Sequence, residues 1–242
     1  PGVSHLRRCI MSSLASLDGK TRSLLICGAL AGPFFTIIWF LTGLTRANYD
    51  PMRHPISALA LGESGWTQVT NFIITGVLTL ALAYGLQRAL PSRGESKWVL
   101  ILFYMVAIGF LGTGFFVTDP LNGYPPGTPA MLMPPTVIGS LHLLFASFIF
   151  GLPTACLVLA RLFAAQGEHN WAVYSRVTAI AFIIIYLIGT AGFLQVEGLV
   201  NYAGLFQRIS LTIGLAWMTL LPIHLLNSSS KTQVMLKDKV SP

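Results

Sequence analysis

Long runs of apolar residues alternate with short polar segments along almost the whole chain. Crossing the hydrocarbon core of a bilayer takes about 20 mainly apolar helical residues, and six stretches reach that length. They cover residues 24–44, 68–86, 98–117, 137–162, 175–194 and 205–226. The pattern predicts an all-α polytopic membrane protein, a six-transmembrane-helix bundle at 24–226. A segment at 1–23 precedes it and a tail at 227–242 follows it.

The composition supports a membrane protein and excludes an ordinary soluble domain. Hydrophobic residues make up 54% of the chain and charged residues 10%, with a mean hydropathy of +0.70. Soluble domains carry about a quarter charged residues. In a soluble protein the net charge of +7 would suggest an anionic partner. In a membrane protein the positions of the basic residues relative to the spans matter more, so nucleic acid is not an expected partner.

Lys and Arg are distributed unevenly between the two ends of the predicted bundle. Twelve of the fifteen lie before the first span, around the second and fourth loops, or in the tail. The first, third and fifth loops hold only Arg46, Arg53 and Arg208. Because cytoplasmic loops carry the excess of Lys and Arg, we predict an N-in/C-in protein of the cell membrane with its odd-numbered loops outside.

Ionisable residues concentrate at this predicted outer end. The first loop contains Arg46, Asp50, Arg53, His54 and Glu63. The ends of later spans add Asp119, His142, Glu197 and Arg208. Charged groups at the edge of the hydrocarbon are costly, so they mark either a functional site or internal pairs. Both interpretations stay open here: the pairs would join Glu197 to Arg208, and Asp50 to Arg46 or Arg53.

Polar residues at helical spacing suggest that these charges lie above a cavity. In the second span Asn71, Thr75 and Thr79 recur every four residues, and in the fifth Tyr186 is followed by Thr190. The third loop has five prolines between 125 and 135 and cannot be a regular helix. With Tyr124, Met131 and Met133 it would form a stiff cover over an apolar cavity. Pro33 and Pro153 lie inside spans and predict kinks.

Metal and nucleophile chemistry receive weaker support. A site built from His54, Asp119 and His142 is an alternative, but no spacing typical of metal-binding motifs accompanies it, and we predict no metal. Ser57 lacks the Gly-x-Ser-x-Gly context of a nucleophile and is expected to cap a short helix.

Several short motifs resemble one known family. They are His54-Pro-Ile-Ser-Ala-Leu with Gly65-Trp and Asn71, the segment from Gly112 to Asp119, Ser140-Leu-His142-Leu-Leu-Phe-Ala, and Gln207-Arg208 with Trp217. Together they look like the uncharacterised bacterial and archaeal membrane family named domain of unknown function 998. The resemblance covers nearly the whole chain. It implies a compact six-helix protein of a bacterial or archaeal inner membrane. It does not imply any activity.

Three functions fit these residues. The first is acid/base chemistry on an amphiphilic or isoprenoid-like lipid, with Asp119 or Glu197 as base, His142 as acid or proton relay and an arginine such as Arg208 as anchor. The first loop, Asn71 and Tyr124 would bind the ligand. The second is a non-catalytic subunit that stabilises a partner membrane protein or binds a lipid or pigment. The third is a small-molecule transporter. Membrane lipid and a hydrophobic small molecule are the expected partners, and the residues predict no particular cofactor.

Overall fold

The computed structural model of the protein describes residues 17–90 and 95–240. Seven α-helices form there: α1 Gly19–Thr45, α2 Trp66–Ala89, α3 Glu95–Phe115, α4 Val137–Ser147, α5 Gly151–Ala165, α6 His169–Phe193 and α7 Ala203–Val240. Six helical segments are long and apolar enough to cross a membrane, because α4 and α5 together make one span. The predicted six-span helical fold is therefore confirmed. Arg7, Arg8 and Arg93, which enter the orientation count, lie outside the described residues.

The last helix is longer than the apolar run that predicts it. It continues beyond Leu226 to Val240. No glycine or proline occurs between Pro222 and Pro242, so no local signal stops the helix where the sequence becomes polar. The segment expected as a tail after the sixth span is thus helical as far as Val240.

The fourth span is not one regular helix. A 3₁₀ turn at Phe148–Phe150 separates α4 from α5. Pro153 follows this turn and has no N–H to donate to the carbonyl of Ile149, four residues earlier, which favours an irregular turn there. A kink is predicted at Pro153, and the 3₁₀ turn lies immediately before it. At Pro33, in contrast, α1 continues as a single helix.

The six spans pack in a closed ring that follows chain order. Each span contacts the next, and α1 also packs against α7. Gly28 and Gly32 permit two of these contacts: a Cβ added at Gly28 would lie 2.5 Å from the Cβ of Leu82 in α2, and one at Gly32 would lie 2.7 Å from the Leu215 carbonyl in α7. Small residues allow such close approach of helices in lipid, as the Gly-x-x-x-Gly spacing predicts.

Three loops meet at one end of the ring, and we call them the loop cap: residues 46–65, 116–136 and 194–202. Side chains join them directly, because Asn122 Nδ2 donates to the Arg53 carbonyl at 3.0 Å and Gln195 Nε2 donates to Asn122 Oδ1 at 2.5 Å. By the count of Lys and Arg, the loop cap is the end predicted to face outward.

Candidate functional site

A cavity of about 600 Å³ lies beneath the loop cap. All six spans contribute to its walls, chiefly α3, the fourth span, α6 and α7, and the first and third loops close its top. Most of the lining is apolar, with phenylalanines from several spans such as Phe35, Phe110 and Phe150. Cavities of about 300–1,000 Å³ with a few polar groups are typical of sites for small molecules.

On one side the cavity is bounded by α4 and α6, and the residues of these helices that line it include exposed apolar side chains. The inner half of the fourth span, α5, packs against α6, whereas the main neighbour of α4 is α3. The space left between α4 and α6 is the cavity, since both helices line it. Its rim is apolar and exposed: Leu143 of α4 is 61% exposed, and Leu187 and Leu194 at the α6 side are 53% and 64% exposed. Exposed apolar residues of a membrane-spanning bundle are expected to face lipid.

The proline-rich third loop covers the cavity as predicted, but only two of its three expected residues line the cavity. Met131 and Met133 line the cavity. Tyr124 instead turns into the loop cap, where its ring lies 5.4 Å from that of Tyr49 and 5.1 Å from that of His54. Tyr124 therefore holds the two loops together and does not line the cavity.

His142 lies in the cavity wall and is only 3% exposed. Its Nδ1 lies 2.7 Å from the carbonyl of Phe116, at the end of α3. A carbonyl can only accept, so Nδ1 carries the hydrogen. In the neutral ring Nε2 then has a free lone pair. This side chain has the form required of a proton acceptor.

Asp119 also lines the cavity, but its carboxylate is already bound at the start of α4. It accepts hydrogen bonds from the Thr136 N–H at 2.9 Å and from the Thr136 hydroxyl at 2.7 Å. Thr136 in turn caps α4 by accepting from the Gly139 N–H at 2.9 Å. A carboxylate near a helix N-terminus is stabilised by the helix dipole. Gly139 lies directly against this carboxylate, and His142 follows Gly139 by one turn, so Asp119 and His142 are neighbours at the cavity.

Arg208 does not line the cavity; it ties α7 to the first loop. It is 7% exposed and donates to the carbonyls of His54 at 2.9 Å and Gly204 at 2.8 Å, as well as to the hydroxyl of Tyr49. The guanidinium also lies 5.2 Å from the ring centre of Trp39, within cation–π range. The expected pair with Glu197 is wrong: Glu197 is exposed and contributes nothing to the cavity wall.

Arg46 has a similar role within the first loop. Its guanidinium donates to the carbonyls of Leu59, Leu61 and Ser64 at 2.8–3.0 Å. Asp50 accepts from the Met52 N–H at 2.9 Å, so the expected pair of Asp50 with an arginine is also wrong. Among the described residues, the ion pairs are Asp18–Arg88 and Glu168–His224.

The remaining predicted residues lie in the loop cap or between helices. Arg53 approaches Asn201 at 3.5 Å, and Glu63 is exposed. Asn71 is buried and donates to the Phe35 carbonyl at 3.1 Å, so it joins α2 to α1. His54 is buried, and its Nδ1 accepts the Asp50 N–H at 2.9 Å.

The structure does not assemble the alternative metal site. Within residues 17–90 and 95–240, no three His, Cys, Asp or Glu side chains lie together in a way that could hold a metal ion. His54 belongs to the loop cap, while Asp119 and His142 belong to the cavity.

Burial in the loop cap shifts the pKa of two side chains, Tyr49 and His54. Burial raises the pKa of Tyr49 to about 12, although the nearby Arg208 opposes this shift. Burial lowers the pKa of His54, while Asp50 acts in the opposite direction. Both side chains are therefore held neutral.

Several polar groups of the cavity wall were not predicted as site residues, among them Ser57, Gln207 and Tyr186. Ser57 lies inside a 3₁₀ helix at Ile56–Ala60, whose cap is Pro55, so its expected capping role is wrong. Gln207 accepts the Ile56 N–H at 2.8 Å through Oε1, and Tyr186 lines the deeper part of the cavity. The spacing of Tyr186 and Thr190 was the sequence signal that pointed to Tyr186.

Comparison with known proteins places the chain in a family without assigning it an activity. No curated protein and no solved structure matches it. A family model described as a protein of unknown function (DUF998) matches residues 29–224, which include most of all six spans, both arginine anchors and the whole cavity. The chain therefore belongs to the DUF998 family of membrane proteins.

Proposed function

We propose that this protein binds one amphiphilic molecule with a long apolar part, which enters the cavity from the bilayer between α4 and α6. The observation that carries the proposal is the largely apolar cavity of about 600 Å³ whose exposed rim residues, Leu143, Leu187 and Leu194, face lipid. A ligand can pass from lipid into such a cavity without crossing water. The Lys and Arg count favours the outer leaflet as its source.

Filling the cavity tests this proposal. Ala146 lies in the cavity wall on α4, so A146W would occupy the space that the ligand needs. Ala216 is exposed on α7 and is not part of the wall, so A216W is the matched control. Native mass spectrometry of the purified protein would count retained molecules. We expect one lipophilic molecule per chain in the wild type and in A216W, and none in A146W. Equal retention by A146W and A216W would refute the proposal.

A second function, acid/base catalysis on the bound molecule, is favoured by His142. The Phe116 carbonyl fixes the hydrogen on Nδ1 and leaves Nε2 as proton acceptor in a wall that a substrate would touch. A general base needs this protonation state and position. Asp119, which lies against Gly139 one turn before His142, would favour the charged imidazolium formed when the proton is taken up.

The same mass measurement separates the two functions. In an enzyme, H142Q would accumulate substrate, so the mass of its retained molecule would differ from that of the wild type. A protein that only binds would retain the same molecule in both. N201Q, in the loop cap and away from the cavity, is the control.

A further inference from the structure

We infer that the ligand carries an uncharged polar group, such as a hydroxyl or carbonyl, and is not a lipid phosphate. This inference rests on the proposed binding function and names the class of molecule that the cavity takes.

No Lys or Arg of the described residues lines the cavity. Phosphate and carboxylate groups are recognised by paired charges, above all by arginine. Arg46 donates to three main-chain carbonyls, Arg208 donates to two and to the Tyr49 hydroxyl, and Arg53 approaches Asn201. None of these three arginines lines the cavity. The one formally charged residue in the wall is Asp119, whose negative charge would repel an anion. An anionic headgroup would therefore be buried without a partner, which is costly.

Several polar residues of the wall are already satisfied. The Asp119 carboxylate binds Thr136, the Thr190 hydroxyl donates to the Tyr186 carbonyl at 2.9 Å, and the Thr113 hydroxyl donates to the Phe110 carbonyl at 2.9 Å. These groups shape the wall and leave little capacity for a ligand.

Three polar groups of the wall make no hydrogen bond among the described residues. They are the hydroxyls of Ser57 and Tyr186 and the side-chain NH₂ of Gln207. All three can donate, all are neutral, and a hydroxyl or carbonyl oxygen of a ligand matches them. The ring of His142, in contrast, already interacts with the main-chain carbonyls of Phe116 and Thr113.

Tyr186 is the most informative of the three. Its ring is held by Phe182, stacked at 5.6 Å, and by the edge of Phe150 at 5.1 Å. The ring is fixed by packing alone, so removal of the hydroxyl in Y186F leaves these contacts unchanged. Seven residues separate Tyr186 from the end of α6 at Phe193, about 10 Å along the helix, so this hydroxyl lies deep in the cavity.

The test compares three molecules with one C20 tail: geranylgeraniol, geranylgeranyl phosphate and geranylgeranylamine. Equilibrium binding of each is measured to the full chain in phosphatidylcholine nanodiscs. We expect the alcohol to bind at least about tenfold more tightly than the phosphate or the amine. Y186F should bind the alcohol about 2- to 10-fold more weakly, as expected for loss of one neutral hydrogen bond. Y174F, the same substitution on α6 outside the cavity wall, should bind as the wild type does.

Each other outcome is decisive. Tighter binding of the phosphate or the amine overturns the uncharged group while leaving the proposed cavity intact. Equal binding of all three molecules, unchanged by Y186F, shows that only the apolar tail is recognised and also overturns this inference. Undiminished binding of the alcohol by A146W would instead refute the proposed binding function. Thermal unfolding of Y186F close to that of the wild type confirms that its effect is on binding.

Discussion

Replacing Arg208 by alanine tests how the loop cap is held on the helices. The side chain is 7% exposed and makes two hydrogen bonds to the first loop, one to the His54 carbonyl at 2.9 Å and one to the Tyr49 hydroxyl. Hydrogen bonds from a charged group contribute about 1.5–3 kcal/mol each, so the two together contribute about 3–6 kcal/mol. Burial of a guanidinium without a carboxylate partner costs several kcal/mol and offsets part of this gain. We expect R208A to lower the free energy of unfolding by about 2–4 kcal/mol.

A change of that size is measurable as a thermal shift. For a chain of about 150–250 residues, 1 kcal/mol corresponds to about 2–4 °C, so Tm in detergent should fall by about 4–16 °C. R176A is the matched control, because Arg176 is exposed on α6. R208A would have little effect only if the free-energy cost of burying the charge equals the gain from its hydrogen bonds. Unfolding of R208A within about 2 °C of the wild type and of R176A would show this, and Arg208 would then not be an anchor.

Two further substitutions follow from the loop cap and the cavity entrance. Because burial raises the pKa of Tyr49 to about 12, the unfolded phenol ionises first and stability should fall as the pH rises from about 10 to 12. Y49F should weaken this dependence in a pH series of thermal unfolding, and an unchanged dependence would contradict the assignment. G139A places a methyl group against the Asp119 carboxylate and should cost about 1–3 kcal/mol. G19A meets no atom within 4 Å and is its control, so equal Tm values for the two variants would contradict the contact.

The six spans could be predicted because an apolar run of about 20 residues has few alternatives to a membrane helix. The cavity is harder to predict, because it depends on the divergence of α4 from α6. That divergence follows the irregular turn before Pro153, whose effect on helix direction is not contained in the hydrophobic pattern.

The roles of the charged residues could not be predicted from residue types. Sequence reasoning looks for acidic partners of Arg46 and Arg208, whereas the structure supplies carbonyl oxygens, which every residue possesses. Of the eleven predicted site residues, Asp119 and His142 line the cavity. Tyr186 was visible through its spacing with Thr190, but its free hydroxyl is apparent only once the hydrogen bonds of the wall are known.

The carbonyl anchoring of the first loop has a consequence for sequence variation among relatives. Arg46 and Arg208 bind main-chain oxygens of Leu59, Leu61 and His54, and these oxygens persist whatever side chains occupy those positions. The loop can therefore change many of its residues and keep its shape, provided that the two arginines stay. A drift of loop sequence around two fixed arginines would leave the top of the cavity closed while the residues that line it there, such as Ser57, change and the bound ligand diversifies.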